Sequence, residues 1–350
     1  MINFKNILVS IGLSSYFLSI ISCNTSSSNN PDNIFKKNIF LKGNIEQIDI
    51  PFNVPLIYVC DTLTFLTMTG QQNDRDIYVF TNDYKYLSSS GKKGKGPGEL
   101  VNPFFPVPDK ENQVFYILDQ GRNKIFVYPL DSIIRNKNYL PDSIIPCPSK
   151  YPVIVQYRPY GKDLFSFLNQ FDNHVLISFF NKKGKVIEDM DIPDKIDLYK
   201  NFNYKGYSSL SIYGFNPDQN KIAIAYRYED AIFIIDSKGN ILNKHYDETQ
   251  KIQDPNKQNN RYTYFSLDVD EKYIYSLYSG KNIFDMNNNG QVSVNYPSTL
   301  LVFNWELKPI VKITFEFPVA SLAIDYIQKR FVTWCPENGT IVWYKIPDFL

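Results

Sequence analysis

One five-residue pattern of β-branched and aromatic residues recurs six times along the chain. Its copies begin at Asp76, Lys124, His174, Ala231, Leu300 and Thr340. Successive copies lie about 40 to 70 residues apart in the 350-residue sequence. A strand that recurs at uneven intervals indicates one structural unit, repeated with loops of different length.

Each copy stands within a group of strand-like segments. A second strand precedes it, as in residues 113–118, 221–226, 273–278 and 330–334, and an inner strand such as 209–213 or 321–325 comes before that. Most copies also have a following strand after a glycine turn. Six four-stranded antiparallel units predict an all-β fold, a six-bladed β-propeller, which protects its strand edges by closing radially. A large β-sandwich or two stacked β domains would also accept short strands, but neither explains six copies.

The two ends of the chain are expected to meet in one blade. The sixth unit has three strands before Pro347, and residues 45–50 can supply the missing outer strand. No Pro- or Ser-rich linker divides the chain after residue 33. We therefore predict one propeller domain over residues 41–350, closed by an N-terminal strand.

Charge excludes one class of partner. The chain has 37 Lys and Arg against 36 Asp and Glu, a formal net charge of +1. A nucleic-acid-binding domain needs an excess of basic residues on one face. Nucleic acid is not an expected partner.

The N-terminus has the layout of an export signal. Lys5 is followed by an uncharged, mostly apolar run over residues 6–22 and then by Cys23. The run is too short to span a bilayer as a helix, so residues 1–22 are predicted to be a signal peptide. Residues 23–40 would then be the anchor and a flexible tether, because residues 24–33 are rich in Asn and Ser.

The segment Ile20-Ile21-Ser22-Cys23 resembles the lipobox of bacterial lipoproteins. The resemblance implies cleavage before Cys23, a lipid on its sulfur, and a place in the cell envelope at the outer membrane. An ordinary secretory signal cut nearby is the alternative. Cys60, Cys147 and Cys335 would then fold in an oxidising compartment, where a bridge between Cys60 and Cys335 or three buried thiols are both compatible with the sequence.

A glycine-rich segment carries a second resemblance. Gly91-Lys-Lys-Gly94-Lys-Gly96-Pro97-Gly98-Glu99-Leu100, followed by Pro103, Asp119 and Asn123, resembles an NHL repeat. With the lipobox in front, the chain resembles the six-bladed NHL-like or TolB-like propeller lipoproteins of Bacteroidetes, which are mostly of unassigned function. The glycines are expected to turn the chain into the next blade, since no helix with a Gly-Lys-Ser/Thr ending follows to make a phosphate loop.

One segment imitates a calcium loop. Asp285, Asn287 and Asn289 stand at alternate positions before Gly290, as at the start of an EF-hand, but Tyr296 replaces the final bidentate Glu. A polar insertion over residues 279–298, between two strands of the fifth blade, is the alternative. We expect no cofactor, with calcium as the one ion that the pattern suggests.

Ligands of propellers meet the loops that converge on the axis. Those loops carry a set of Arg and Tyr side chains suited to bind acidic groups and ring surfaces. The candidate ligand-binding residues are Arg75, Arg122, Arg158, Tyr160, Tyr207, Arg227, Tyr228, Arg261 and Tyr262.

Three functions remain open from the sequence. The first is a lipid-anchored, non-catalytic module that binds a protein or carbohydrate, favoured because the sequence has only two His and no Gly-x-Ser-x-Gly nucleophile motif. The second is a metal-dependent enzyme of the lactonase or lyase kind, using Asp61, Asp268 and Asp325 at the ends of inner strands. The third is a passive scaffold in an envelope complex.

Overall fold

The computed structural model shows an all-β chain built from six four-stranded blades. It describes residues 34–50, 52, 54–68, 74–141, 143–151, 154, 156–171, 174–191, 211–216, 218, 220–246, 252–254, 260–286 and 292–350. The expected signal peptide, Cys23, Tyr207, Asn287 and Asn289 lie outside these residues.

Strands follow one another blade by blade along the chain. Two N-terminal strands come first, β1 (Asn38–Leu41) and β2 (Asn44–Glu46). Blade 1 contains β3 (Leu56–Cys60), β4 (Leu63–Thr67), β5 (Arg75–Thr81) and β6 (Tyr86–Lys92). Blade 2 contains β7 (Pro103–Asp109), β8 (Val114–Asp119), β9 (Lys124–Pro129), the short helix α1 (Leu130–Arg135) and β10 (Ser143–Pro146).

The remaining four blades repeat this order. Blade 3 contains β11 (Tyr157–Tyr160), β12 (Leu164–Phe171), β13 (His174–Asn181) and β14 (Val186–Asp191). Blade 4 contains β15 (Ser211–Asn216), β16 (Lys221–Tyr226), β17 (Ile232–Asp236) and β18 (Ile241–His245). Blade 5 contains β19 (Arg261–Val269), β20 (Tyr273–Asn282), the hairpin β21 (Phe284–Met286) and β22 (Val292–Val294), then β23 (Thr299–Asn304) and β24 (Pro309–Phe315). Blade 6 contains β25 (Ser321–Asp325), β26 (Arg330–Cys335) and β27 (Thr340–Lys345).

The recurring sequence pattern is the third strand of each blade. In β17, the side chains of Ile232, Phe233, Ile234 and Ile235 are all buried. Alternate residues of a strand point to opposite faces, so such a continuous apolar run is stable only where both faces are covered. Neighbouring blades cover the two faces, and the core therefore lies between blades.

The N-terminus closes blade 6, as predicted. Strand β2 pairs antiparallel with β27, with Ile45 opposite Val342, and so supplies the fourth strand. The expected extent of residues 45–50 was wrong, because pairing ends at Glu46 and the chain bends at 49–50. Ile48 and Ile50 instead pack against the core between blades 6 and 1.

Blade 5 gains a fifth strand that the sequence did not predict. Strand β1 pairs in parallel with β24, with Ile39 opposite Ile313. Just before it, Phe35 is 3% exposed and packs edge-on against Phe303 of β23, with ring centroids 5.1 Å apart. The last part of the segment expected to be a tether, from Phe35 to residue 40, therefore packs on the propeller, because the ring of Phe35 reaches the core between blades 4 and 5.

The three cysteines of the propeller are free and buried. Cys60 packs in the core between blades 1 and 2, whereas Cys335 packs in the core between blades 5 and 6. The bridge left open by the sequence does not form. Burial raises the pKa of the Cys60 thiol to about 11 and that of Cys147 to about 12, so both behave as small apolar side chains.

The insertion over residues 279–298 forms a separate hairpin between β20 and β23. Strand β21 pairs with β22, and Asp285 lies opposite Ser293 on an exposed strand. Across the described part of the chain, no three His, Cys, Asp or Glu side chains are grouped to hold a metal ion. Nor does any described helix have the length and apolar character required to cross a membrane.

Candidate functional site

A cavity of about 450 Å³ occupies the axis of the propeller. The first strand of each blade stands at the end of its sheet, so its inward edge has no strand partner among the described residues. All six blades contribute to the wall, for example through Leu56, Val107, Tyr157, Ile212, Leu267 and Ser321. The channel wall thus combines apolar side chains with backbone groups, and its volume falls within the range of small-ligand sites, about 300–1,000 Å³.

One mouth of the channel carries an ion pair and an apolar lip. Lys110 Nζ lies 2.7 Å from Asp61 Oδ1, and hydrogen bonding to Lys110 lowers the pKa of Asp61. Tyr326 and Ile327 on the other side of this mouth are 56% and 57% exposed. Both charges are largely exposed, so the pair contributes little to stability.

Three polar side chains of the channel wall come from alternate blades. Tyr58 belongs to blade 1, Arg158 to blade 3 and Asp268 to blade 5, and all three line the cavity. Burial raises the pKa of Tyr58 to about 12, with the charge of Arg158 opposing that rise and the charge of Asp268 adding to it. The three groups therefore share one electrostatic environment.

Arg158 is held in place by blade 4. Its Nε donates to the main-chain oxygen of Tyr213 at 3.1 Å, and its guanidinium carbon lies 5.8 Å from the centre of the Tyr213 ring. Among the described residues, no oxygen accepts a hydrogen bond from its two terminal Nη groups, and no carboxylate lies within ion-pair distance. The fixed fork is available to a ligand.

Asp268 faces the same space. One of its oxygens, Oδ1, accepts the backbone N–H of Val269 at 2.9 Å. Burial raises the pKa of this carboxyl, and the nearby charge of Arg158 opposes that rise. Since no direct ion pair joins the two side chains, the space between them can hold a ligand group that bonds to both.

A smaller cavity of about 200 Å³ opens beside the pair, between blades 3, 4 and 5. Arg158 and Asp268 line both cavities, and Tyr160 and Phe215 supply aromatic surface to the smaller one, with ring centroids 5.1 Å apart. Gly214 stands where blades 4 and 5 approach closely, because a Cβ there would lie 2.8 Å from Val269 Cγ1. The two cavities form one branched site around the Arg158 and Asp268 side chains.

A second guanidinium lines the channel from the loop between β16 and β17. Arg227 Nη1 donates to the main-chain oxygen of Phe265 at 3.0 Å and to the hydroxyl of Tyr262. Its Nε is buried and has no hydrogen-bond partner within the part of the chain that the structure describes. Tyr228 packs edge-on against Tyr262, with centroids 5.5 Å apart, and so holds the ring on which Arg227 rests.

A family model described as TolB-like 6-blade propeller-like matches residues 29–326. The chain belongs to this family. No curated protein matches the TolB-like chain.

Solved structures with the same fold come from several sources. A protein described as exported, from Bacteroides fragilis NCTC 9343, has a TM-score of 0.53 at 11% identity, covering 89% of this chain and 100% of that one. A member of the DUF4221 family from Bacteroides vulgatus ATCC 8482 has a TM-score of 0.50 at 13% identity, covering 87% and 97%. A chain of the mitotic checkpoint complex reaches 0.51 at 9% identity, covering 99% and 100%. At such low identity the likeness concerns the fold.

Three of the nine candidate ligand residues line the cavities of the TolB-like propeller. These are Arg158, Tyr160 and Arg227. Tyr262 and Tyr228 support Arg227 from behind. Arg261 lines neither cavity; its backbone N–H donates to Gln253 Oε1 at 2.9 Å.

Two of the predicted arginines serve the fold. Arg75 donates to Asn138 Oδ1 at 2.6 Å, because its side chain extends toward the connection after α1 and away from the axis. Arg122 Nη2 donates to the main-chain oxygen of Gly96 at 3.2 Å and so fastens the glycine loop. Neither lines the described cavities, so a ligand role for them stays a prediction.

The glycine loop of the NHL-like repeat encloses a carboxylate of its own. Glu99 Oε2 accepts the N–H of Gly96 at 2.8 Å, and Glu99 Oε1 lies 2.6 Å from Lys92 Nζ. Asp119 accepts the backbone N–H groups of Val101, Asn102 and Gly121 at 2.8, 2.9 and 3.0 Å. The motif is therefore a self-contained crossing between blades 1 and 2, as its glycines predict.

The three carboxylates considered for catalysis line the channel but, among the described residues, are not grouped to hold a metal ion. Asp325 accepts the N–H groups of Ile327 and Gln328 at 3.1 and 2.9 Å and pairs with Arg330 Nε at 3.1 Å, which fully occupies it. Asp61 pairs with Lys110 at the channel mouth. All three line the channel, but only Asp268 also lines the smaller cavity, and sequence reasoning missed its place in one cavity with Tyr58. The sequence signal for this site was the charged residue Asp268 near the end of the inner strand β19.

Proposed function

We propose that this TolB-like propeller is a lipid-anchored binding module of the cell envelope, held at the outer membrane through Cys23. It binds a protein or carbohydrate ligand in its central channel. The observation that carries the proposal is that two guanidinium groups, on Arg158 and Arg227, line a cavity of about 450 Å³ with donor groups that no described residue uses.

Arg158 is half-buried and lines the cavity, so its terminal Nη groups can donate to a ligand that supplies acceptors. Hydrogen bonds from a guanidinium to an anionic acceptor are charge-assisted and therefore strong. The envelope location draws support from the lipobox-like segment before Cys23 and from the description of a structural relative from Bacteroides fragilis as exported. A binding role without catalysis is favoured because Asp61 and Asp325 are engaged in ion pairs.

A ligand screen tests the binding role. The full chain, purified in detergent, is presented to glycan arrays and to envelope extracts, alongside Arg158→Gln, Arg227→Gln and the control Arg135→Gln. Arg135 lies on α1 and its side chain is 79% exposed. We expect ligands that the wild type and the control retain and that both channel variants lose. Ligands retained equally by all four proteins would contradict a channel site.

A labelling experiment tests the anchor. Cells that express the wild type or Cys23→Ser are fed an alkyne analogue of palmitate, and the protein is recovered and probed for the label. We expect label on the wild type alone and a shift of Cys23→Ser to the soluble fraction. An unlabelled wild type that is cleaved near Cys23 would favour the ordinary secretory signal.

A further inference from the structure

We propose that the branched site at Tyr58, Arg158 and Asp268 takes an acidic sugar, a pyranose ring that bears a carboxylate and several hydroxyl groups. The proposal rests on the proposed binding function and names its ligand class. The chemistry of the three side chains, the open strand edges around them and the aromatic wall of the smaller cavity all fit such a ligand.

Arg158 fits a carboxylate. Its Nε is already bonded to the main-chain oxygen of Tyr213 at 3.1 Å, so the planar guanidinium has a fixed orientation. The two terminal Nη groups have no acceptor among the described residues. Two parallel N–H donors of a held guanidinium match the two oxygens of a carboxylate, and such bidentate pairs are among the strong hydrogen bonds of proteins.

Asp268 and Tyr58 fit hydroxyl groups. An ionised carboxylate only accepts hydrogen bonds, and Asp268 uses Oδ1 on the backbone of Val269. The phenol of Tyr58 can donate or accept, and no described residue is bonded to it. A ring that places its carboxylate on Arg158 presents neighbouring hydroxyls, each both donor and acceptor, to these two groups.

The channel wall also favours a polyol over a peptide. The inward edges of six inner strands surround the channel, and their backbone groups have no strand partner among the described residues. A peptide pairs with one strand edge in a fixed register. Hydroxyls, by contrast, can donate to carbonyls and accept from N–H groups of several strands at once.

The smaller cavity supplies the surface that a sugar ring needs. Tyr160 and Phe215 line it next to Arg158 and Asp268, and Phe179 supports Tyr160 at a centroid distance of 5.1 Å. Aromatic faces bury apolar C–H surface well and offer a rigid platform. A ring bound between the polar groups and this wall would use both branches of the site.

Binding measured by titration calorimetry tests the ligand class. The probes are D-galacturonate and D-glucuronate, their neutral counterparts D-galactose and D-glucose, and a tripeptide with a free carboxylate, each added to the full chain in detergent. We expect at least one of the two uronates to bind at least about tenfold more tightly than its neutral counterpart and than the peptide. Equal affinity for acidic and neutral sugars would overturn the proposal. So would a folded protein that binds no uronate at a probe concentration of about 10 mM.

Variants separate the roles of the side chains. Arg158→Gln should abolish uronate binding, Arg158→Lys should retain a weaker interaction, and Tyr58→Phe should weaken binding without altering the fold. Tyr86→Phe is the matched control, because its hydroxyl contacts Ser89 on the outer strand of the same blade. Uronate binding that survives Arg158→Gln and Tyr58→Phe would overturn the assignment. A peptide or protein ligand lost in Arg158→Gln would overturn the sugar class and leave the proposed function standing.

Discussion

Arg330 of blade 6 donates a hydrogen bond from Nη2 to the main-chain oxygen of Asn82 in blade 1, at 2.7 Å. The two residues are 248 positions apart in sequence. The same guanidinium pairs through Nε with the buried Asp325 at 3.1 Å and lies 5.0 Å from the ring centre of Tyr84. One side chain therefore joins the last blade to the first.

Replacing Arg330 should weaken the closed ring. Arg330→Met leaves the Asp325 carboxylate, 1% exposed, without its cation, and breaking a buried pair in this way costs about 3–5 kcal/mol. The double variant Arg330→Met/Asp325→Asn should recover part of that loss. Urea denaturation of each protein gives the free energy of unfolding.

The exposed pair on α1 is the control for the Arg330 experiment. Arg135 and Asp131 are 79% and 82% exposed at 3.5 Å, so Arg135→Met should change the free energy of unfolding by less than about 1 kcal/mol. A loss of similar size in Arg330→Met would show that the contact between blades 6 and 1 contributes little.

The N-terminal segment should be as important as the contact at Arg330. Phe35 is 3% exposed, so Phe35→Ala should lower the free energy of unfolding by about 3–5 kcal/mol. Phe40 lies on β1 and is 63% exposed, so Phe40→Ala should cost less than about 0.5 kcal/mol.

Deleting residues 24–33 should leave the melting temperature nearly unchanged, whereas deleting 24–46 removes β1 and β2 and should lower it sharply. Equal melting temperatures for the two deletions would refute the interlocked ring.

The blades could be predicted from the sequence because their third strands are buried on both faces. Covered faces impose continuous apolar runs such as Ile232 to Ile235, which remain visible when loops vary. Strand β1 could not be predicted in the same way. It has four residues, of which Asn38 and Phe40 are exposed, and its place is set by the packing of Phe35 on Phe303, a contact between distant parts of the chain.

The candidate site was predictable in part for a similar reason. Arg158 and Arg227 could be predicted to line the channel because their positions relative to the predicted strands put them near the axis. Arg75 and Arg122 have equivalent positions, yet their side chains extend to neighbouring loops, and sequence position alone does not set that direction. That Tyr58 and Asp268 line one cavity depends on how inner strands of two different blades are placed around the axis.

The glycine loop offers a test of close packing around Glu99. Gly94 has φ +155°, and a Cβ there would lie 2.1 Å from Glu99 Oε2, so Gly94→Ala combines backbone strain with a clash. Gly161 has φ +62° with nothing within 4 Å of a Cβ, so Gly161→Ala reports strain alone. Each substitution should lower the free energy of unfolding. The loss should be roughly 1 kcal/mol for Gly161→Ala and about 1–3 kcal/mol for Gly94→Ala. Urea midpoints that rank the two variants in the opposite order would show that Glu99 moves aside freely.

Stability should fall as the pH rises from about 4 to 7. Asp76 lies between blades 1 and 2 and Glu229 beside β17, and burial raises the pKa of each carboxyl to about 7. The pair with Lys93, whose Nζ lies 3.1 Å from Asp76 Oδ1, only partly opposes this rise. Unfolded Asp and Glu have pKa values near 3.9 and 4.3, so in this window the folded state binds more protons than the unfolded state and is favoured at the acidic end.

The pH dependence can be assigned by substitution. The wild type should unfold at a higher urea concentration at pH 5 than at pH 8, with roughly 2 kcal/mol from each buried carboxyl. Asp76→Asn and Glu229→Gln remove one titrating group each and should shrink the difference, whereas Glu188→Gln, on an exposed stretch of β14, should leave it unchanged. Asp61 and Asp236 have lowered pKa values and titrate below this window, so they do not offset the effect. A wild-type midpoint that is equal at the two pH values, or higher at pH 8, would mean that both buried carboxyls are ionised in the folded protein.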